Sequence, residues 1–203
     1  MISKPLQKHL IASFVLILGF TGCTEVTYQR LSDPSRDTWQ KPQGVIEELS
    51  IAPGSRVADL GAGGGYFTWH LAKAVGARGT PNVRPVHATL SDPRFPEPVD
   101  LVFNCNTYHQ MTERIAYFRS LASSLRPDGR VAIIDSRPRG LVFDLFDKRV
   151  AKKEVRLEME AAGYRLVNDF DLLDRQHFQI FAVPSHGELH SPDIKDTAPK
   201  DPA

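Results

Sequence analysis

Cysteine is scarce in this chain, with two in 203 residues, Cys23 and Cys105. Two cysteines cannot make a disulfide framework, so a packed core must hold the fold. Charge of one sign is missing as well. The 25 Lys and Arg offset 24 Asp and Glu to a net +1, which gives no reason to expect a nucleic-acid partner. The 7 histidines are scattered without metal-ligand spacing. Long apolar runs are absent except for Leu10 to Phe20, which is too short to span a bilayer comfortably. One further absence is local: no Asp or Glu occurs between Asp59 and Asp92.

What remains is enough for one domain with extensions at both ends. Lys4, Lys8 and His9 precede the apolar run, which ends at Phe20-Thr21-Gly22-Cys23. This start resembles a bacterial lipoprotein signal, with Cys23 as the lipidated first residue of the mature chain. The resemblance implies a membrane partner through an N-terminal lipid and a place in the bacterial cell envelope. The alternative is an uncleaved anchor in the inner membrane with the domain on its cytoplasmic face. Residues 1–23 are then signal, 24–36 a tether, 37–184 the domain and 185–203 a polar, disordered tail.

Within the domain, strand and helix patterns alternate. The sequence predicts a helix from Trp39 to Ser50, stopped by Pro53-Gly54, and a buried strand over Val57–Leu60. A helix over Tyr66–Val75 closes at Gly76. Val83–His87 reads as a strand, with Pro85 suiting it to an edge. A strand over Asp100–Asn104, a helix over Thr112–Leu125 and a turn at Arg126-Pro127-Asp128-Gly129 come next. Then follow a strand over Arg130–Asp135 and a helix over Lys152–Ala162 ended by Gly163. The strands Tyr164–Phe170 and Gln176–Val183 lie too close for a crossover helix and must be antiparallel. The pattern gives an α/β class with an open, mostly parallel sheet and a final antiparallel pair. Ligands in such sheets bind beyond the carboxyl ends of the strands, here after Leu60, Asn104 and Asp135.

Asp59-Leu60-Gly61-Ala62-Gly63-Gly64-Gly65 is a glycine loop with an acid before it. A dinucleotide dehydrogenase would need a small residue where Tyr66 stands, so a nicotinamide enzyme is disfavoured. The D-x-G-x-G-x-G spacing resembles the S-adenosylmethionine site of class I methyltransferases. The resemblance extends in order through "RDTWQKP", "VADLGAGGGYFT", "NVRPVHATLSDPRFP", "VDLVFNCNTYHQM", "LRPDGRVAIIDSRP", "EMEAAGYRLV" and "RQHFQIFAV". The chain is similar to a bacterial class I methyltransferase of the small-molecule type over roughly residues 36 to 183.

That resemblance implies the Rossmann-like fold of the family, S-adenosyl-L-methionine as cofactor and a small-molecule substrate. It implies that Asp59, Gly61, Gly63 and Gly65 line the cofactor, with Asp92 near the adenine and Asn104 at the methyl-donor end. It also puts Tyr108 and His109 in the loop that meets the substrate, His109 as base or contact. Bland readings stand beside these. Asp92 can cap the Asp-Pro turn, His109 can be a surface or capping residue, and Gly65 can serve helix packing alone. Cys105 reads as a small buried residue and His177 and Phe178 as packing.

In the family a second strand, ending in an acid for the ribose, and a helix would follow Gly79-Thr80. Here both are absent from the sequence, and Val83–His87 is expected directly beside Val57–Leu60. Two hydrogen bonds to a carboxylate, about 1.5–3 kcal/mol each, would be lost with that acid. The open alternative is a membrane-tethered pseudoenzyme that keeps the fold as a binding or scaffold module.

Overall fold

The computed structural model describes residues 35–76, 83–138 and 149–184. Helices are α1 (Arg36–Gln40), α2 (Pro42–Leu49), α3 (Tyr66–Ala74), α4 (Arg114–Leu121) and α5 (Lys152–Ala161). Strands are β1 (Val57–Leu60), β2 (Val99–Cys105), β3 (Leu125–Ser136), β4 (Arg165–Phe170) and β5 (Gln176–Ala182). Among the described residues the strands form one sheet in the order β1-β2-β3-β5-β4. β1, β2 and β3 run parallel, and β5 is antiparallel to both β3 and β4.

Alternation along β2 explains the two cores. Leu101 and Phe103 point to one face, where Val45 and Leu49 of α2 and Phe67 and Leu71 of α3 cover them. Val102 points to the other, among Tyr117, Phe118 and Leu121 of α4 and Val155 and Met159 of α5. Val131 and Ile133 of β3 join the second core, Ala132 and Ile134 the first. Both faces of the central strands are thus dry, as their near-continuous apolar sequences require.

Several boundaries depart from expectation. The first helix begins at Arg36 and is cut at Lys41, whose φ of 44° lies in the left-handed region. The cause is Pro42, which disfavours the right-handed helical region in the residue before it. The fourth helix starts at Arg114, after Glu113 at φ 50°. The Arg126–Gly129 turn survives as an irregularity within β3. Leu125 pairs with Val99 and Arg130 with Leu101, so four residues of β3 stand opposite Asp100 alone. Arg126 Nη1 closes it, 3.3 Å from the Asp100 carboxylate.

The largest correction concerns Val83–His87. It is not a strand, and it does not lie paired beside Val57–Leu60. β1 pairs with β2 directly, and residues 83–90 are exposed coil, with Val83 and Val86 each 41% accessible. Two valines three positions apart would face opposite sides of a strand, leaving no apolar face to bury. Pro85 also lacks the N–H that pairing needs. Residues 1–34 and 185–203, on which the expected signal, nearly all of the expected tether and the expected tail fall, lie outside the described residues.

Candidate functional site

Leu60, Asn104, Cys105, Asp135, Ser136 and Gln176 meet at one end of the sheet. The register fixes this: Leu60 pairs with Asn104, Cys105 with Ile134, and Ser136 with Gln176. β5 runs the other way, so its beginning joins the endings of β1, β2 and β3 there.

The glycine loop follows β1. Gly61 has φ +81°, and a Cβ there would sit 2.3 Å from Thr107 Oγ1. Gly61 is therefore demanded by the neighbouring loop as well as by the turn. Gly63 has φ +55°, and the nearest atom to its virtual Cβ is the Gly61 carbonyl oxygen at 4.0 Å. The loop leaves open space at Gly63. Gly65 is the N-cap residue of α3, and its virtual Cβ meets the Thr68 side chain at 3.9 Å. Asp59, at the floor of the loop, accepts a 2.5 Å hydrogen bond from Thr68 Oγ1. Burial raises its carboxyl pKa above the ordinary value, and the Thr68 bond opposes this.

Asn104, the penultimate residue of β2, is fully buried. Its Nδ2 donates to the Leu60 carbonyl at 3.4 Å, while its Oδ1 is buried without a partner. Such an orphaned acceptor costs about 1–3 kcal/mol. The next loop carries His109, whose Nδ1 lies 2.7 Å from Asp135 Oδ1 and whose backbone N–H donates to Asp135 Oδ2 at 2.8 Å. Asp135 is fully buried at the end of β3 and also accepts the Ser136 N–H at 2.7 Å.

Tyr108 does not join this site. It is fully buried, stacked on Phe118 with ring centroids 5.5 Å apart, and its hydroxyl donates to Glu158 Oε2 at 2.7 Å. Arg114 grips the same carboxylate through Nη2 at 2.6 Å. Burial pushes the Glu158 carboxyl up, but its bonds from Arg114 and Tyr108 together hold it below the ordinary range. A 3₁₀ turn over Tyr108–Gln110 separates the roles of its neighbours, sending Tyr108 inward as core and His109 to Asp135. Asp92 stands apart on an exposed turn. Its Oδ1 accepts the Arg94 N–H at 2.7 Å, and its own N–H donates to Thr89 Oγ1 at 3.0 Å. The turn rests on α4 through Ser120 Oγ and the Ser91 carbonyl at 3.5 Å. These bonds give Asp92 the turn-capping geometry.

A wall of the site was not anticipated. α1 lies over the ends of β2 and β5 and the start of α3. Arg36, nearly buried, donates from Nε to Gln40 Oε1 at 2.6 Å and stacks 3.9 Å from the Tyr66 ring centroid. Gln40 donates to Gln176 Oε1 at 3.1 Å and to Cys105 Sγ at 3.2 Å. Gln176 donates to Asn106 Oδ1 at 2.7 Å, and Tyr66 donates to Asp37 Oδ1 at 2.5 Å. Cys105 is a packing residue, and burial pushes its thiol up to about 12. His177 and Phe178 are fully buried, as packing residues would be, and burial lowers the His177 pKa. The sequence held one partial signal, a polar Gln176 at the site end of a strand, but nothing that joined it to Arg36 and Gln40.

No protein-family model matches the chain, and no curated protein matches it. Solved structures do. A SAM-dependent methyltransferase from Aquifex aeolicus superposes with a TM-score of 0.66 at 24% identity, covering 77% of this chain and 96% of that one. The mitomycin 7-O-methyltransferase MmcR gives 0.61 at 15% identity, covering 81% of this chain and 58% of its own. The trans-methyltransferase CalH, solved with SAH, gives 0.54 at 16% identity, covering 65% and 52%. The chain therefore shares the Rossmann-like α/β fold of SAM-dependent methyltransferases.

Proposed function

We propose that this chain binds S-adenosylmethionine against its glycine loop and transfers the methyl group to a small-molecule acceptor. The observation that carries the reading is Gly63, a left-handed residue at the carboxyl end of β1 with open space where a side chain would be. The orphaned Asn104 Oδ1 supports it, since a ligand donor would satisfy that atom. When bound, the cofactor supplies an electrophilic methyl group on a sulfonium. Gly61 and Gly63 offer it close backbone approach, Asp59 a carboxylate at the loop floor, and Asn104 a buried acceptor. The Arg36–Gln40–Gln176 wall narrows the mouth and limits water. His109, held by Asp135, stands on the acceptor side.

The family's second strand and helix, expected after Gly79-Thr80, are read as lost from this chain, which leaves the ribose without its usual acid. Affinity is then expected to be modest. Calorimetry of the full chain with S-adenosylhomocysteine tests the reading. Binding is expected, and Gly63→Val should weaken it at least about tenfold, or 1.4 kcal/mol. No binding at millimolar ligand would sink the enzyme reading and return the pseudoenzyme.

The proposal extends to the N-terminus, with Cys23 lipidated and the domain tethered to the cell envelope. The basic start, the apolar run and Gly22-Cys23 support it. Mass spectrometry of the membrane fraction should find a lipid-modified Cys23 as the first residue. An intact Met1 would overturn lipidation at Cys23 and return the uncleaved anchor.

A further inference from the structure

We propose that Asp135 is a positioning residue that holds the His109 imidazole as its Nδ1–H tautomer and so makes Nε2 the proton-accepting nitrogen of the site. The inference rests on the transfer reading given above.

Both oxygens of Asp135 are engaged, one by His109 alone and the other by His109 and Ser136 together. Oδ2 takes the His109 backbone N–H at 2.8 Å, and Oδ1 takes the Ser136 N–H at 2.7 Å. Oδ1 also faces His109 Nδ1 at 2.7 Å. A carboxylate only accepts, so Nδ1 must be the donor in that contact. In a neutral ring the lone pair then lies on Nε2. The Gln110 amide nitrogen, 3.5 Å from Nε2, is a donor group and agrees with that polarity. Gln110 is itself turned by a bond from the same nitrogen to the Asn106 carbonyl at 3.3 Å.

Two features make Asp135 more than a loop anchor. Water does not compete for it, because the side chain is fully buried. A second imidazole, that of the fully buried His177, is its direct cross-strand partner on β5. An apolar residue at 135 would fill the strand end equally well, and Ile133 on the same face is one. A carboxylate there serves the His109 ring. An oxygen acceptor must shed a proton to become a strong nucleophile, which is what a presented Nε2 supplies. His109 Nε2 takes the proton of an acceptor hydroxyl as the acceptor oxygen bonds to the methyl carbon. The carbon–sulfur bond breaks with its electron pair left on sulfur, and the imidazolium returns its proton to water.

The test is long-range proton–nitrogen NMR on the full chain with ¹⁵N-labelled histidine, with His109→Gln used to identify the His109 signals. The parent should show a protonated Nδ1 and an unprotonated Nε2. Asp135→Ala should shift the ring toward the Nε2–H form that free imidazoles favour. S-adenosylhomocysteine affinity should change less than about threefold in that variant, because Asp135 sits on the acceptor side. A parent ring protonated at Nε2 overturns the proposal, whether or not the Ala variant folds. So does an Asp135→Ala ring that stays wholly Nδ1–H, or a tenfold loss of S-adenosylhomocysteine affinity. Failure of the parent to bind S-adenosylhomocysteine sinks the transfer reading alone and is read in a separate measurement.

Discussion

The loop after β1 is shaped by backbone, the loop after β2 by side chains. In the first, glycines at positive φ do the turning, and the side-chain bonds are few: Thr68 to Asp59 beneath it and Thr107 to the Gly61 carbonyl. Its residues 61–64 are exposed. In the second, Tyr108 is sunk into the core, and His109 is tied to Asp135 at two points. The contrast suits two partners of different kinds. A cofactor of fixed shape can be met by an open cradle, which needs room more than chemistry. A reacting acceptor needs groups fixed in orientation, and orientation comes from packed side chains.

The comparison is broken most severely at Tyr108. Tyr108→Ala should cost about 3–5 kcal/mol in urea unfolding, because it empties a filled core position. It also strips a partner from Glu158. Tyr108→Phe keeps the stack on Phe118 and should cost about 1.5–3 kcal/mol, the loss of one hydrogen bond to a charged group. A loss of transfer in Tyr108→Phe without loss of stability would restore the substrate role that the sequence suggested.

At the glycine loop the expected losses are smaller. Gly61→Ala should cost about 1–3 kcal/mol through strain and the contact with Thr107. Adding Thr107→Gly, which also removes the Thr107 Cβ 2.8 Å from that site, should return the steric part relative to Thr107→Gly alone and leave about 1–2 kcal/mol of left-handed strain. If the double variant recovers nothing, Thr107 is not what fixes Gly61.

Acid and base sharpen the contrast further. Burial raises the Asp59 pKa, so its contribution to stability is full below the ordinary value of 3.8 and is lost as pH rises through the folded value. Asp59→Asn should therefore raise stability at pH 7 and lose that advantage in acid. Glu158 is held low, so its contribution is present above 4.5 and lost as pH falls through its folded value. Glu158→Gln should weaken the fold at pH 7 and match the parent in acid. Urea midpoints across that range check both, and parallel pH profiles for the two variants would refute the assignment. A destabilising carboxylate under the glycine loop is the kind of residue a ligand site retains.

The smallest effect is expected at Asp92. Its Oδ1 already serves the Arg94 amide. Asp92→Ala should lower S-adenosylhomocysteine affinity by less than about 1 kcal/mol. A cost of about 1.5–3 kcal/mol would instead give Asp92 the adenine contact.

Strands with apolar runs were legible in the sequence because burial on both faces leaves few alternatives. Val57–Leu60, the segment from Asp100 and the segment from Arg130 all stand where their composition puts them. The glycine loop was legible because positive φ demands glycine. Val83–His87 misled because β-branched residues suggest a strand, while the spacing of its two valines denies it a face. Tyr108 and His109 could not be told apart, since a 3₁₀ turn decides which of two neighbours goes inward. The Arg36–Gln40–Gln176 wall was illegible for a different reason. Its members lie far apart in sequence, and side-chain amides carry no periodic signal.

The antiparallel course of β5 has a practical consequence for anyone attaching a probe. Gln176 starts the strand at the mouth, and Ala182 ends it opposite Arg130, about 20 Å away at the other end of the sheet. A dye at Pro184 sits toward the far end of the sheet from the proposed site, whereas one at Ser35 sits beside Arg36 and Gln40 at its mouth. Fluorescence binding assays should therefore label this molecule at Pro184.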